Sequence, residues 1–293
     1  MLFHAEAPAK INRELRVGAR RADGFHEIRS RFCTIDLADR LEVGESERLE
    51  ISCSGIPVPE GKDNLIARAA KELAAELGIE QPRARIRLEK RIPVGAGLGG
   101  GSADAAVTLL LLSRLWEAAL PEEDLTRVAA RIGSDVPFFL FGGEADVGGR
   151  GDRVSPREDS PPRDLLLLVP PFSIATADVY AAYSRRTGGS ARLADALEVD
   201  TTRNFLGPND LASAVLEIQR RMEDYLRSAR QVASEAGITG SGSALVLCGV
   251  TTEGERALAR THPGASLHRV RTLGREDYRR TTQGGGPSWK SPR

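Results

Sequence analysis

The sequence predicts an α+β protein of two lobes with its active site in the cleft between them. Three observations carry this. Segments of period-two alternation, which read as strands, are interleaved with segments of helical spacing. A polar stretch with three prolines, Ser155 to Arg163, breaks the composition and marks a lobe boundary. A chain of 293 residues suffices for one large domain or two moderate ones, each with its own core. The expected division is 1–155, 156–275 and a disordered tail at 276–293.

The elements follow in order. Ala9, Ile11, Leu15 and Val17 alternate with Asn12, Glu14 and Arg16, a half-buried strand interrupted by Arg13. Arg20 to Glu27 is a polar loop with an Asp23-Gly24 turn signal. Phe32–Leu37, Arg40–Val43 and Leu49–Cys53 read as three short, antiparallel strands. Asp63 is the expected N-cap of a helix carried by Leu65, Ile66, Ala69, Leu73 and Leu77 and closed by Gly78. Ala84, Ile86 and Leu88 alternate with Arg85, Arg87 and Glu89, a half-exposed strand. A helix from about Ser102 to Trp116 is apolar nearly all round and is expected to be buried. Pro121 opens another, closed by Gly133. The glycines between 142 and 151 suggest a flexible tract. Leu165–Val169 is a buried strand, Thr176–Tyr183 a helix, and Gly188–Thr202 a linker. Leu211 to Leu226 reads as one long amphipathic helix. The strand Ala244–Cys248, a helix Glu253–Thr261 and an edge strand Leu267–Thr272 complete the chain.

The stretch Pro93-Val94-Gly95-Ala96-Gly97-Leu98-Gly99-Gly100-Gly101-Ser102-Ala103 carries the chemistry. Five glycines opening a helix exceed what a tight turn requires. They suit a backbone cradle for phosphate, with unpaired N–H groups and the positive end of the helix dipole aimed at one point. Gly95, Gly97 and Gly100 formally match a dinucleotide fingerprint. The preceding strand is charged on one face, though, and no acidic residue ends a second strand some 20 residues on. A Walker loop would need Gly-Lys-Ser/Thr, which does not occur.

Equal numbers of acidic and basic residues argue against nucleic acid or an anionic membrane as partner. No apolar run is long enough to span a bilayer, and the N-terminus lacks a signal-peptide pattern. Three cysteines without paired spacing fit reduced thiols in the cytoplasm. Four histidines show no zinc spacing.

The glycine stretch resembles the ATP-phosphate loop of the GHMP kinases, which include galactokinase, homoserine kinase and mevalonate kinase. Pro8-Ala9-Lys10-Ile11-Asn12 and Thr239-Gly240-Ser241-Gly242-Ser243 resemble the first and third motifs of that superfamily. Within it, Arg20-Arg21-Ala22-Asp23-Gly24-Phe25-His26-Glu27 resembles the 4-diphosphocytidyl-2-C-methyl-D-erythritol kinase family. Gly133 to Phe139 and Asn209-Asp210-Leu211 fit as well, and the likeness runs from about Ala7 to Thr272. Arg13, Glu144, Asp146 and Ala212 depart from the family's pattern.

The resemblance implies a ribosomal protein S5 domain 2-like N-terminal lobe and a ferredoxin-like C-terminal lobe. It implies ATP and Mg²⁺, and phosphorylation of the 2-hydroxyl of 4-diphosphocytidyl-2-C-methyl-D-erythritol in the non-mevalonate isoprenoid pathway. Asp135 is the expected base, with a turn or capping role as its alternative. Lys10 is the expected cation beside the transferred phosphoryl group. Ser102 is expected to donate to a phosphate, help hold Mg²⁺, or cap its helix. Phe25 and Tyr180 (or Tyr183) are expected to clamp a cytosine whose edge His26 reads, and Asn12 to hold the methylerythritol hydroxyls. Asn64 and Leu65 are expected on the adenine side, and Gly240, Ser241 and Gly242 to face the substrate. A monomer or weak homodimer is expected. The rival readings are another small-molecule kinase of the superfamily, a diphosphomevalonate decarboxylase-type enzyme, and a non-enzymatic nucleotide-binding protein.

Overall fold

Two 19-residue strands, β1 (Leu2–Arg20) and β2 (His26–Gly44), form the antiparallel frame on which the rest is hung. Their length comes from burial on both faces: Ala9, Ile11, Leu15 and Val17 point one way or the other into cores, and Asn12, Arg13 and Glu14 are buried too. The half-exposed strand expected here is therefore covered on both sides. The two short strands expected at 32–37 and 40–43 are one continuous β2. Asp39, between them, is fully buried, and its carboxylate accepts the N–H groups of Arg91 (2.5 Å) and Ile92 (2.8 Å). The structure is a computed structural model that describes residues 1–58, 64–189, 191, 193 and 204–282.

One edge of β2 carries β1. Its other edge is shared by three strands in succession: β5 (Glu144–Gly149) along residues 28–33, β10 (Ser266–Leu273) at 34–35, and β4 (Ala84–Lys90) along 40–44. β3 (Leu49–Gly55) lies outside β4 and β6 (Arg153–Pro156) outside β5. β10 continues onto β7 (Asp164–Val169), then β9 (Leu245–Cys248) and β8 (Glu235–Ile238). The strand expected at an edge, 267–272, is thus central and joins the two lobes through the sheet. β3 runs parallel to β4, where antiparallel pairing was expected. The intervening α1 (Leu65–Glu76) supplies the crossover that a parallel pair needs.

α1, α2 (Gly100–Leu115), α3 (Glu122–Ile132) and the single turn α4 (Phe138–Phe141) pack on the first lobe. α2 is buried on nearly every side, as its composition predicts, with Ala105, Ala106, Val107, Leu109, Leu111 and Leu112 fully covered. α5 (Thr176–Thr187), α6 (Ala212–Ile218), α7 (Met222–Val232) and α8 (Thr252–Thr261) cover the second. The single helix expected over 211–226 is interrupted at Gln219, where φ −129° and ψ 83° leave the helical region. Val215 then faces the core from α6 while Met222 and Leu226 do so from α7.

The tail expected from 276 is corrected over its first part. Residues Arg275–Thr282 form α9, and Tyr278, 1% exposed, inserts into the first lobe's core. The tract at 142–151, expected to be flexible, is the β5–β6 hairpin region. Asp63 and most of 188–202 lie outside the described residues. Asn64 caps α1 instead, its side chain accepting the Ile66 N–H at 2.9 Å. Among the described residues no helix is long and apolar enough to cross a membrane.

Candidate active site

A cavity of about 540 Å³ opens between the lobes. Residues from Pro93 to Ser102 form one wall, Lys10, Asn12 and Asp135 stand beside it, and Thr176, Tyr180, Gly240 and Ser241 close the far side. Asn64 and Leu65 line it as well.

The glycine loop is held from two directions. The Lys10 N–H donates to the Leu98 carbonyl (2.9 Å) and the Ala244 N–H to the Ala96 carbonyl (3.0 Å). Gly97 sits at φ +79°, and a Cβ there would fall 2.6 Å from the Thr239 carbonyl oxygen. The loop and the turn Thr239–Ser243 thus touch backbone to backbone, which only glycine permits. The N-cap of α2 is Gly99, at φ +71°, and no side chain caps the helix. Ser102 is therefore in the first turn and is not the cap. The Gly100, Gly101 and Ser102 N–H groups have no intrahelical partner, as in any first helical turn. Ala103 faces the core instead of the cavity, and Gly242 shapes its turn without lining the cavity.

β1 presents Lys10 at the mouth of this loop, 4% exposed. Its ammonium lies 3.3 Å from Asp135 Oδ2, donates to Asn12 Oδ1 at 2.6 Å, and sits 4.3 Å above the Phe32 ring. Asp135 is partly open, its side chain 31% exposed, and follows the end of α3. Gly151 stands behind it: a Cβ there would come within 3.4 Å of Asp135 Oδ1. Asn12 is fixed by three bonds: its backbone N–H to Thr239 Oγ1 (2.8 Å), its amide to Ser30 Oγ (2.9 Å), and its carbonyl oxygen to Lys10. A buried cation, a carboxylate open to the cavity and a backbone anion cradle are thereby brought together. That combination can position an anionic group and take a proton from a hydroxyl beside it.

The residues expected around a cytosine lie at one end of β2 and on α5. Tyr180 stacks on His26 (centroids 5.4 Å apart, 29° between planes), and Tyr183 meets His26 edge-on. His26 Nδ1 lies 2.9 Å from the Gly18 carbonyl and Nε2 2.7 Å from Ser184 Oγ. A carbonyl only accepts, so Nδ1 carries the proton and Nε2 accepts from Ser184. Burial pushes the Tyr180 phenol up, and the negative charge of Asp135 adds to it. Phe25 is 47% exposed and lies under the Arg150 guanidinium, 5.3 Å away, rather than against Tyr180.

Three side chains beside the site, Lys90, Asp39 and Asp104, escape a reading of motifs alone. The Lys90 ammonium, buried at the end of β4, bonds Asp39 and, at 2.7 Å, Asp104 Oδ2 of α2. Burial works against the Lys90 charge, but Asp104 and Asp39 hold its pKa above the ordinary lysine value. Burial pushes the Asp104 carboxyl well above the usual range, against the pull of Lys90. A Cβ on Gly100 would sit 2.8 Å from Lys90 Nζ, so the glycine makes room for the clamp that ties β4 to α2. The signal was present: Lys90 falls on the inward face with Ala84, Ile86 and Leu88, and an inward lysine requires partners. Asn209 holds the turn at 239–243 by donating to the Ile238 and Gly240 carbonyls (2.8 Å each).

Comparison with known proteins adds to this geometry. Residues 64–143 match the model of the GHMP kinases N terminal domain. A 4-diphosphocytidyl-2-C-methyl-D-erythritol kinase of Pelotomaculum thermopropionicum is 38% identical over 266 residues, 88% of this chain and 92% of that protein. A crystal structure of a 4-(cytidine 5'-diphospho)-2C-methyl-D-erythritol kinase superposes with a TM-score of 0.76 at 32% identity, over 92% of this chain and 99% of that one. A Methanococcus jannaschii mevalonate kinase, 12% identical, shares the fold with a TM-score of 0.66 over 94% of this chain and 98% of its own. The glycine loop, Lys10 and Asp135 thus lie in a fold common to small-molecule kinases, and the likeness in sequence over nearly the whole length is narrower: the chain belongs to the 4-diphosphocytidyl-2-C-methyl-D-erythritol kinase family of the GHMP kinases.

Proposed function

We propose that the chain transfers the γ-phosphoryl group of ATP to the 2-hydroxyl of 4-diphosphocytidyl-2-C-methyl-D-erythritol, a step of the non-mevalonate route to isoprenoid precursors. The observation that carries the mechanism is the 3.3 Å Lys10–Asp135 pair at the open end of the glycine loop. The loop and the first turn of α2 receive the triphosphate on backbone N–H groups. Asp135 accepts the proton of the hydroxyl as it attacks. Lys10, 3.3 Å from that carboxylate, faces the charge that develops on the phosphoryl oxygens. Asn12, locked by Thr239 and Ser30, orients the polyol.

Mg²⁺ fits this donor set. It takes one or two protein oxygens and fills its octahedron with phosphate oxygens and water. Ser102 and Asp135 offer such oxygens on the wall that receives the phosphates. When bound, the ion neutralises phosphate charge.

At the other end His26 Nε2, freed by rotation of Ser184, accepts from the exocyclic amine of cytosine. Tyr180 covers one face of the base, and Phe25 swings from under Arg150 to cover the other. Asn64 and Leu65 flank the adenine. The lobes meet at residues 155–163, and we take the protein to act in the cytoplasm as a monomer or weak homodimer.

The test is an assay of ADP release with the cytidyl-methylerythritol substrate, mevalonate and homoserine in parallel. Turnover with the first alone is expected. Asp135→Asn should lower kcat by about 10²–10⁴-fold, the usual range for a general base, with ATP affinity within a few-fold of wild type. An unchanged kcat would remove Asp135 from this role.

A further inference from the structure

Behind the candidate active site, on the opposite face of the sheet, lies a second recess. Ser30 points from β2 towards Asn12, so its neighbours Arg29 and Arg31 point the other way. Register places Gly148 of β5 beside Arg29, and Arg153 of β6 beyond it. The next row is Arg31, Asp146 and Ser155. Together with Arg157 these residues line a cavity of about 540 Å³.

Four guanidinium groups share this recess with one carboxylate. Arg31 reaches Asp146 through Nε (2.9 Å) and Arg157 reaches the same group through one terminal nitrogen (2.7 Å). Arg153 spends one nitrogen on Glu27 (2.5 Å). The other guanidinium nitrogens of these three have no hydrogen bond among the described residues. Arg31 is itself 6% exposed, so its fork is held in place and cannot sweep through solvent. The floor is open: a Cβ on Gly148 would meet nothing nearer than 3.8 Å.

We propose that this recess is a binding site for a small anion carrying two linked phosphate groups, separate from the phosphate loop. Guanidinium forks match phosphate oxygens two at a time, and converging forks require an anion of more than one charge. A concave basin in a chain of balanced overall charge suits a small ligand rather than a nucleic acid, which would need an extended basic face. Asp146 is the hub on which Arg31 and Arg157 meet, one on each carboxylate oxygen. This inference does not depend on the assignment of the catalytic cavity.

The experiment is calorimetric titration of inorganic diphosphate into the full chain, with the phosphate loop first saturated by a non-hydrolysable ATP analogue. One equivalent should bind. Arg153→Ala/Arg157→Ala should weaken it at least tenfold, while the KM for ATP stays within twofold. Gly148→Asp, whose Cβ would meet nothing nearer than 3.8 Å and which puts a negative charge on the floor, should do the same in an intact fold. Three results would overturn the proposal: no binding once the ATP analogue is in place, equal affinity in both variants, or sedimentation with phosphatidate vesicles without uptake of free diphosphate.

Discussion

An arginine that is 2% exposed must find its counter-charge inside the protein. Arg13 does so with Glu144 of β5: one terminal nitrogen donates to both carboxylate oxygens, at 2.8 and 2.7 Å. Its Nε donates to the Phe205 carbonyl (3.1 Å), and the guanidinium lies 4.3 Å above the Phe205 ring. Glu144 is further fixed through its backbone, which accepts from Arg275 at 2.7 Å and donates to Asp159 at 2.9 Å. The Glu144 carboxylate, after burial itself, pushes the neighbouring Cys33 thiol up, which leaves that cysteine unreactive. Arg13→Leu leaves Glu144 buried without a partner and should cost about 3–5 kcal/mol. Arg13→Leu/Glu144→Leu should recover most of that loss, because two apolar side chains can replace a buried pair at little cost. Urea denaturation of the two single variants and the double decides it: a double variant as unstable as the sum of the singles would show the residues to be uncoupled.

α9 shows how one short helix can serve a core far from it in sequence. Tyr278 packs among the first lobe's apolar residues, and its hydroxyl donates to the Phe139 carbonyl at 2.5 Å. Gly142 lets it in, since a Cβ there would lie 2.0 Å from the ring. Tyr278→Ala should cost about 3–5 kcal/mol by the cavity it opens, and Tyr278→Phe about 1–3 by leaving the carbonyl unpaired. Urea midpoints measure both, and an alanine variant within 1 kcal/mol of wild type would make α9 an ornament of the fold. This helix was not legible in the sequence. Glu276, Asp277, Arg279 and Arg280 fall in the tail expected to be disordered, and one tyrosine among charges gives no periodicity. What could be read was local. α2 announces itself by its continuous apolar run, β4 by strict alternation, and α1 and α3 by caps and spacing. The parallel pairing of β3, the central place of β10 and the continuity of β2 depend on partners tens of residues away, which no local pattern encodes. The site divides the same way. Lys10, Asn12, the glycine loop and Asp135, which line one cavity, stand in stretches whose neighbours are distinctive, whereas Asp39, Asp104 and Gly151 gain their places only through what the fold sets beside them.

The lobes are not independent bodies joined by a tether. β1 and β2 supply residues to both cores, with Leu15, Val17 and Ile28 in the second and Ala5, Phe32 and Leu41 in the first. β10 pairs with β7 of the second lobe and with β2 of the first. A perturbation in one lobe should therefore reach the unfolding of the other. His262 provides one. Its ring stacks on Tyr225 (4.1 Å, 20°) in the second lobe, and its Nε2 is buried without a hydrogen-bond partner among the described residues. Burial lowers its pKa, against the opposing charge of Asp224, and burial alone lowers that of His268. The unfolded chain then binds more protons than the folded one just below the ordinary histidine value of about 6.5. Stability is complete above that value and is lost as pH falls through the lower folded-state pKa. His262→Phe keeps the stacked ring and removes the proton, so its stability should depend less on pH between 7.5 and 5.5. Trp116 reports on the other lobe, packed on the first core with its indole N–H donating to the Arg83 carbonyl at 3.0 Å. In a Trp289→Phe background it is the sole tryptophan. Its fluorescence midpoint in urea should fall with pH in step with the far-ultraviolet dichroism of the whole chain, and His262→Phe should flatten both alike. A Trp116 midpoint that holds steady while the dichroism splits into two steps would show that the shared strands do not couple the lobes.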